Sequence, residues 1–163
     1  TRPAIGEAFG GGFFAGLIRI GSSTYGLIVA PKPEGETTGK WGAKEPIDGA
    51  LSFVDGLANT QAMATAGSSI AAWAQGLNIG DQSDWYIPAR DELEVIYRAV
   101  KPTDDDNACL CGDNPSSYLP TYAYSPDIPA QTSVEAFQDD AEQAFTPSWY
   151  WTSTQYAGYA SDA

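Results

Sequence analysis

Two stretches near the N-terminus are almost continuously apolar and β-favouring. Phe13 to Ile20 and Thr24 to Ala30 flank Gly21-Ser22-Ser23, a composition suited to a short loop, and together they predict a β-hairpin. Pro31, Pro33 and Gly35 end the second strand, because proline cannot donate to a ladder, and Glu34 to Gly49 reads as a loop. The pattern then changes period. Met63, Ala66, Ile70, Trp73 and Leu77 recur at steps of three and four, which predicts one helix between Asn59 and Leu77, capped by Asp55 or Asn59 and stopped by Gly76 or Gly80. Leu93, Ile96, Tyr97 and Val100 predict a second helix from Arg90 to Val100, with Asp91 and Glu92 in a first turn that favours negative charge and Pro102 just beyond its end.

Periodicity fades after that. Thr103 to Pro147 is rich in Asp, Pro, Ser and Tyr and offers only a short helix around Val134 to Phe145. An irregular segment of this length is uncommon inside a small domain and tends to be kept for contact. It is expected to pack as a lobe over the scaffold. Trp149 to Thr154 alternates large apolar with hydroxyl residues, as a strand does. With 163 residues, the chain suits a single domain spanning 1–163, and 17 glycines with 11 prolines predict many turns.

Charge narrows the partners. Twenty-one acids against eight bases give a net charge of -13, which repels nucleic acid and anionic membrane. No apolar run approaches the roughly 18–20 residues of a membrane span, so membrane insertion is not expected. The charge is uneven: residues 1–50 are balanced, whereas residues 101–163 carry ten acids and a lone Lys101. The last third is therefore either a solvated acidic face or one that meets a cationic partner.

The chain has no histidine, which removes imidazole acid–base chemistry and the Ser-His-Asp and Cys-His nucleophile pairs. Gly35 to Trp41 has one spacer too few for a phosphate loop and puts Trp41 where a magnesium-binding hydroxyl belongs. Neither Ser-x-x-Lys nor Gly-x-Ser-x-Gly occurs. Asp104 to Asp106 and Asp139-Asp140 could supply a carboxylate pair or oxygen ligands for calcium, but neither run has EF-hand spacing. No cofactor is expected, with calcium the alternative. Cys109-Leu110-Cys111 is spaced too tightly for an unstrained disulfide, and surrounding acids disfavour thiolate, so two reduced or partly buried thiols are expected.

Three segments resemble a known family. Asp84-Trp85-Tyr86-Ile87-Pro88, followed by Arg90-Asp91-Glu92-Leu93-Glu94 and Tyr97-Arg98, is similar to the "DW-x-LP-(S/T)-x-x-EL" signature of the DUF1566 family, also called the Lcl C-terminal domain. Tyr150-Trp151-Thr152-Ser153-Thr154 resembles its "YW-(S/T)-ST" strand. Phe13 to Gly16, Leu27 to Lys32 and Asp55 to Thr60 resemble the version carried by virion proteins of tailed bacteriophages. The resemblance spans roughly residues 10–157. It implies a C-type-lectin-like α+β fold, with two helices packed on short, mostly antiparallel strands joined by long loops. It further implies a binding role on a virion or cell surface, and the expectation that follows is a non-enzymatic binding module of a virion, at a tail fibre or tail tip, as a homo-oligomer that touches a host-surface protein or glycan and other virion proteins. A structural virion protein, either a capsid decoration or a fibre-attachment domain docking through its acidic face, is the alternative, and a carbohydrate-active enzyme a third.

Within the signature, Trp85 and Ile87 are expected to enter the core on alternate strand positions. Ala89 departs from the usual Ser or Thr N-cap, which forgoes about 1 kcal/mol. Family members continue past the "YW" strand, so this chain is expected to be a fragment lacking C-terminal strands. The expected contact residues are tyrosines set among polar and acidic neighbours, Tyr118, Tyr122, Tyr124, Tyr156 and Tyr159, with Asp139 and Asp140 as a rim that steers a cationic partner.

Overall fold

The computed structural model describes residues 1–42, 45–107, 114, 116–117 and 123–156. It is a mixed α+β structure with a three-stranded antiparallel sheet, ordered β1 (Ala8–Phe9), β2 (Gly12–Ile20), β3 (Ser23–Val29). The described residues also form four helices: α1 (Lys32–Gly35), α2 (Gly56–Thr65), α3 (Ser69–Gln75) and α4 (Arg90–Val100). Contacts divide the chain into two compact units, residues 1–34 with 94–147 and residues 35–93 with 148–163. Among the described residues no helix is long and apolar enough to cross a membrane.

The first unit holds the predicted hairpin. Its register runs from Phe13 opposite Val29 to Ile20 opposite Ser23, and Gly21 takes the turn at φ +61°. A bulge interrupts β2 between Phe14 and Gly16. Gly16 sits at φ +131°, and a Cβ there would lie 2.9 Å from Val95 Cγ1, so both backbone and space call for glycine. Ile18, Phe14, Val100 and Phe137 are buried, and Phe13 meets Phe137 edge to face at 5.4 Å. Phe137 lies in a 3-10 turn, Glu135–Phe137, which is all that forms of the helix expected around Val134 to Phe145. The irregular segment is tied down through its backbone instead. Lys32 donates its ammonium to Ala144 O at 2.6 Å and to Thr146 Oγ1 at 3.0 Å, while Thr132 N–H donates to Lys101 O at 2.9 Å.

In the second unit, the expected single helix is two. Gly67, at φ +91°, donates to Ala64 O (3.0 Å), and Ser68 N–H reaches back to Met63 O (2.9 Å), the paired bonds that close a helix on a left-handed glycine. Ser68 at once caps α3, its hydroxyl accepting from Ala71 N–H at 3.4 Å. A stop signal and a start signal thus lie side by side inside a stripe whose period reads straight through them. Asp55, not Asn59, caps α2, accepting from Ala58 N–H at 2.9 Å.

The apolar core of this unit is Trp41, Ile47, Ala50, Met63, Ile70 and Ala71, with Ile87 packed against it. The buried tryptophan is therefore Trp41, 3% exposed, whereas Trp73 and Trp85 are half-buried. Neither 84–88 nor 149–154 forms a strand. Their backbone groups are met singly, by loops and side chains.

Candidate functional site

Among the described residues, the two most exposed aromatic rings, Trp149 and Tyr156, lie beside some of the most buried polar residues. Ser153, Thr154 and Gln155 are buried in the second unit, where they join three segments distant in sequence. Ser153 N–H donates to Pro88 O (2.8 Å), and Gln155 N–H donates to Ala50 O (2.7 Å). Thr154 Oγ1 donates to Ser52 O (2.7 Å) and accepts from Arg90 N–H (3.0 Å). The Gln155 side chain accepts from Ile47 N–H (2.7 Å) and donates to Glu45 O (3.1 Å), and the Trp41 indole donates to Thr152 O (2.6 Å). Every one of these donors and acceptors would cost free energy if buried alone, so the junction holds residues 152–155 in one geometry.

Rings flank this fixed stretch on both sides. Trp149 is 100% exposed, Trp151 45% and Tyr156 62%. The facing segment alternates in the same way: Ala50 is buried and Ser52 half-buried, while Leu51 and Phe53 point to solvent. The Arg90 guanidinium lies 3.9 Å from the Phe53 ring centroid, a cation held over an exposed aromatic face. Large apolar surfaces that water covers in the isolated chain, carried next to a backbone already held by these bonds, lose less entropy on contact than they would on a free segment.

Behind the junction lies a buried carboxylate. Glu92 Oε2 accepts from the N–H groups of Gly56 (3.0 Å) and Ala89 (2.7 Å), and Oε1 accepts from the Tyr86 hydroxyl (2.8 Å). Glu92 thus satisfies orphan amides at the starts of both α2 and α4, and it supplies the returning half of a capping box although Ala89 lacks the forward half. Burial raises its pKa above the ordinary carboxylate range against the pull of these donors, and burial together with the neighbouring Glu92 charge drives the Tyr86 hydroxyl strongly upward. Asp91, also buried, pairs with the Arg90 guanidinium at 2.8 Å. The acidic part of the signature therefore serves the scaffold. Among the described residues no group of three or more acids and cysteines is placed to hold a metal ion.

The structure scatters the residues expected to make contact. Tyr156 belongs to the aromatic edge just described, whereas Tyr124, Asp139 and Asp140 belong to the first unit. Tyr124 is half-buried under Arg98, whose guanidinium lies 4.4 Å from its ring centroid, and burial, then Glu94, pushes its pKa up to about 12. Arg98 is itself paired with Glu94, whose other oxygen accepts from Asn114 Nδ2 at 2.5 Å. Asp139 and Asp140 are exposed, with Asp140 in the left-handed region at φ +65°. Tyr118, Tyr122, Tyr159, Cys109 and Cys111 lie outside the described residues.

The sequence reading passed over Trp149, Trp151, Leu51 and Phe53. The available signal was the small–large alternation of Ala50-Leu51-Ser52-Phe53, which marks an extended segment with one face outward. No family model, curated protein or solved structure matches the chain.

Proposed function

We propose that this chain is a non-enzymatic binding module of a bacteriophage virion, carried at a tail fibre or tail tip. Its aromatic edge, Trp149, Trp151 and Tyr156 with Leu51 and Phe53, engages a protein or glycan of the host surface. The observation that carries the reading is a fully exposed Trp149 four residues from a fully buried Ser153. Exposed tryptophan and tyrosine on an ordered backbone is the composition of a recognition hot spot. The resemblance to the Lcl C-terminal family gives the virion setting and the C-type-lectin-like fold. It draws support from the way its two signature segments meet, Ser153 donating to Pro88 O and Thr154 accepting from Arg90. A short antiparallel sheet beside long irregular segments suits such a scaffold.

The test is binding of the labelled chain to intact bacteria and to their isolated surface polysaccharides. Replacing Trp149, Trp151 and Tyr156 together with alanine is expected to leave the melting temperature unchanged and weaken binding at least about thirtyfold, the loss of a single hot spot. Full binding by the triple variant would remove the edge from the site. The exposed Asp104 to Asp106, Asp139 and Asp140 favour a second reading, a structural virion protein docked through an acidic face. Absence of host binding, with the label lying on the capsid or at a fibre attachment point in virion images, would select it.

A further inference from the structure

A groove in the first unit stands apart from the aromatic edge. It is open to solvent, holds about 370 Å³, and is walled by Phe14, Gly16 and Leu17 of β2 and by Val95 and Ala99 of α4. That volume lies at the lower end of small-ligand sites, roughly 300–1,000 Å³. At the β2 bulge Gly16 lets the strand pack closely on α4, since a Cβ there would come within 2.9 Å of Val95, and the groove opens beside this contact.

The polarity of the lining selects the occupant. In a chain of net charge -13, the charged residues lining the groove are Arg2 and Arg98, with Ser117 also in the lining. Arg98 is neutralised by Glu94 and fixed against Tyr124, so it acts as a wall. Arg2, exposed on the N-terminal segment, is in no ion pair among the described residues and carries the positive field of the groove. We propose that this groove binds a small carboxylate with an apolar body, the body lying on β2 and α4 and the carboxylate meeting Arg2. An apolar floor with a cation at one end matches that amphipathic shape, and guanidinium favours carboxylate by forming two parallel hydrogen bonds. This site does not depend on the proposed virion role.

Ligand-observed NMR with octanoate tests it, using the full chain and octan-1-ol as the neutral control. Octanoate should bind with a dissociation constant of about 1 mM or tighter, and octan-1-ol several times more weakly. Arg2→Ala, at an exposed position where folding is not at stake, should weaken octanoate about fivefold, the upper range for an exposed ion pair, and leave octan-1-ol unchanged. Ala99→Trp, checked for an unaltered circular dichroism spectrum, should block both ligands. No octanoate signal, equal affinity for the alcohol, or an Arg2→Ala variant that binds as the parent does would each overturn the proposal.

Discussion

Gly56→Ala is a substitution whose ordinary expectation and structural expectation have opposite signs. Gly56 opens α2 with a helical backbone, and replacing such a glycine with alanine commonly stabilises by about 0.4–1 kcal/mol through the unfolded chain. Here a Cβ would stand 2.4 Å from Glu92 Oε2, 2.7 Å from Ala89 N and 2.7 Å from Ile87 O. Two of the three are backbone atoms that cannot swing aside. Overpacking of this kind costs about 1–3 kcal/mol. Displacing Glu92 also weakens charge-assisted bonds worth about 1.5–3 kcal/mol each. Set against the unfolded-state gain, the net loss is about 2–5 kcal/mol, a large share of the stability of an ordinary domain. Urea denaturation followed by tryptophan fluorescence measures it, since Trp41 is buried in the same unit. Gly76→Ala is the internal control: its φ is -85° and its new Cβ would find neighbours no closer than 3.4 Å, so its midpoint should rise. If Gly56→Ala matched or exceeded the parent while Gly76→Ala behaved as expected, the packing of Glu92 between the two helix starts would be wrong.

Trp41→Ala should cost about 3–5 kcal/mol as a core cavity, whereas Trp73→Ala, at a half-buried ring, should cost clearly less; equal losses by thermal unfolding would contradict the assignment of the core. Gly67→Ala, forced to φ +91°, should destabilise by about 1–2 kcal/mol, and a rise in melting temperature would show that the break between α2 and α3 can be bypassed. The pH dependence of Glu92 also has a definite sign. With its folded pKa raised by burial, the unfolded chain releases this proton first, so stability falls as pH rises from about 4.3 until the folded carboxyl has ionised. The stability of the parent relative to Glu92→Gln, from denaturation at a series of pH values, should therefore decline over that window; a rise would mean that the three donors outweigh burial.

Local chemistry was legible wherever a single signal acted alone. The hairpin and α4 carry uncontested patterns, and the sequence places both within a residue of the observed ends. The stripe from Met63 to Leu77 was misread because periodicity survives a break that keeps the helical phase, and Gly67-Ser68 is too short to disturb it. Trp149 to Thr154 alternates like a strand, yet alternation reports which side chains face outward, not whether a neighbouring strand is there to pair. Trp41 stood in a stretch read as loop, with no period to mark it as core. The site was harder still. Tyrosine composition pointed to a contact surface but could not separate Tyr156, which faces solvent, from Tyr124, which is pinned beneath Arg98. That difference is made by tertiary neighbours.

The junction at Ser153 to Gln155 sets a schedule for folding. Trp41 and Thr152 are bonded across 111 positions and Ile47 and Gln155 across 108, so the second unit is closed by residues synthesised long after those they bind. Contacts of such sequence separation are slow to form, because the intervening chain must surrender its freedom before they reward it. During synthesis, the Trp41 indole and the Ile47 amide wait in water until residues 152 and 155 arrive. A chain interrupted just after Pro147 would keep α2, α3 and every core side chain of that unit while lacking the partners of its polar groups. It would therefore be a substrate for proteolysis rather than a smaller working module, and the tryptophans that face outward are presented only once synthesis has passed the junction.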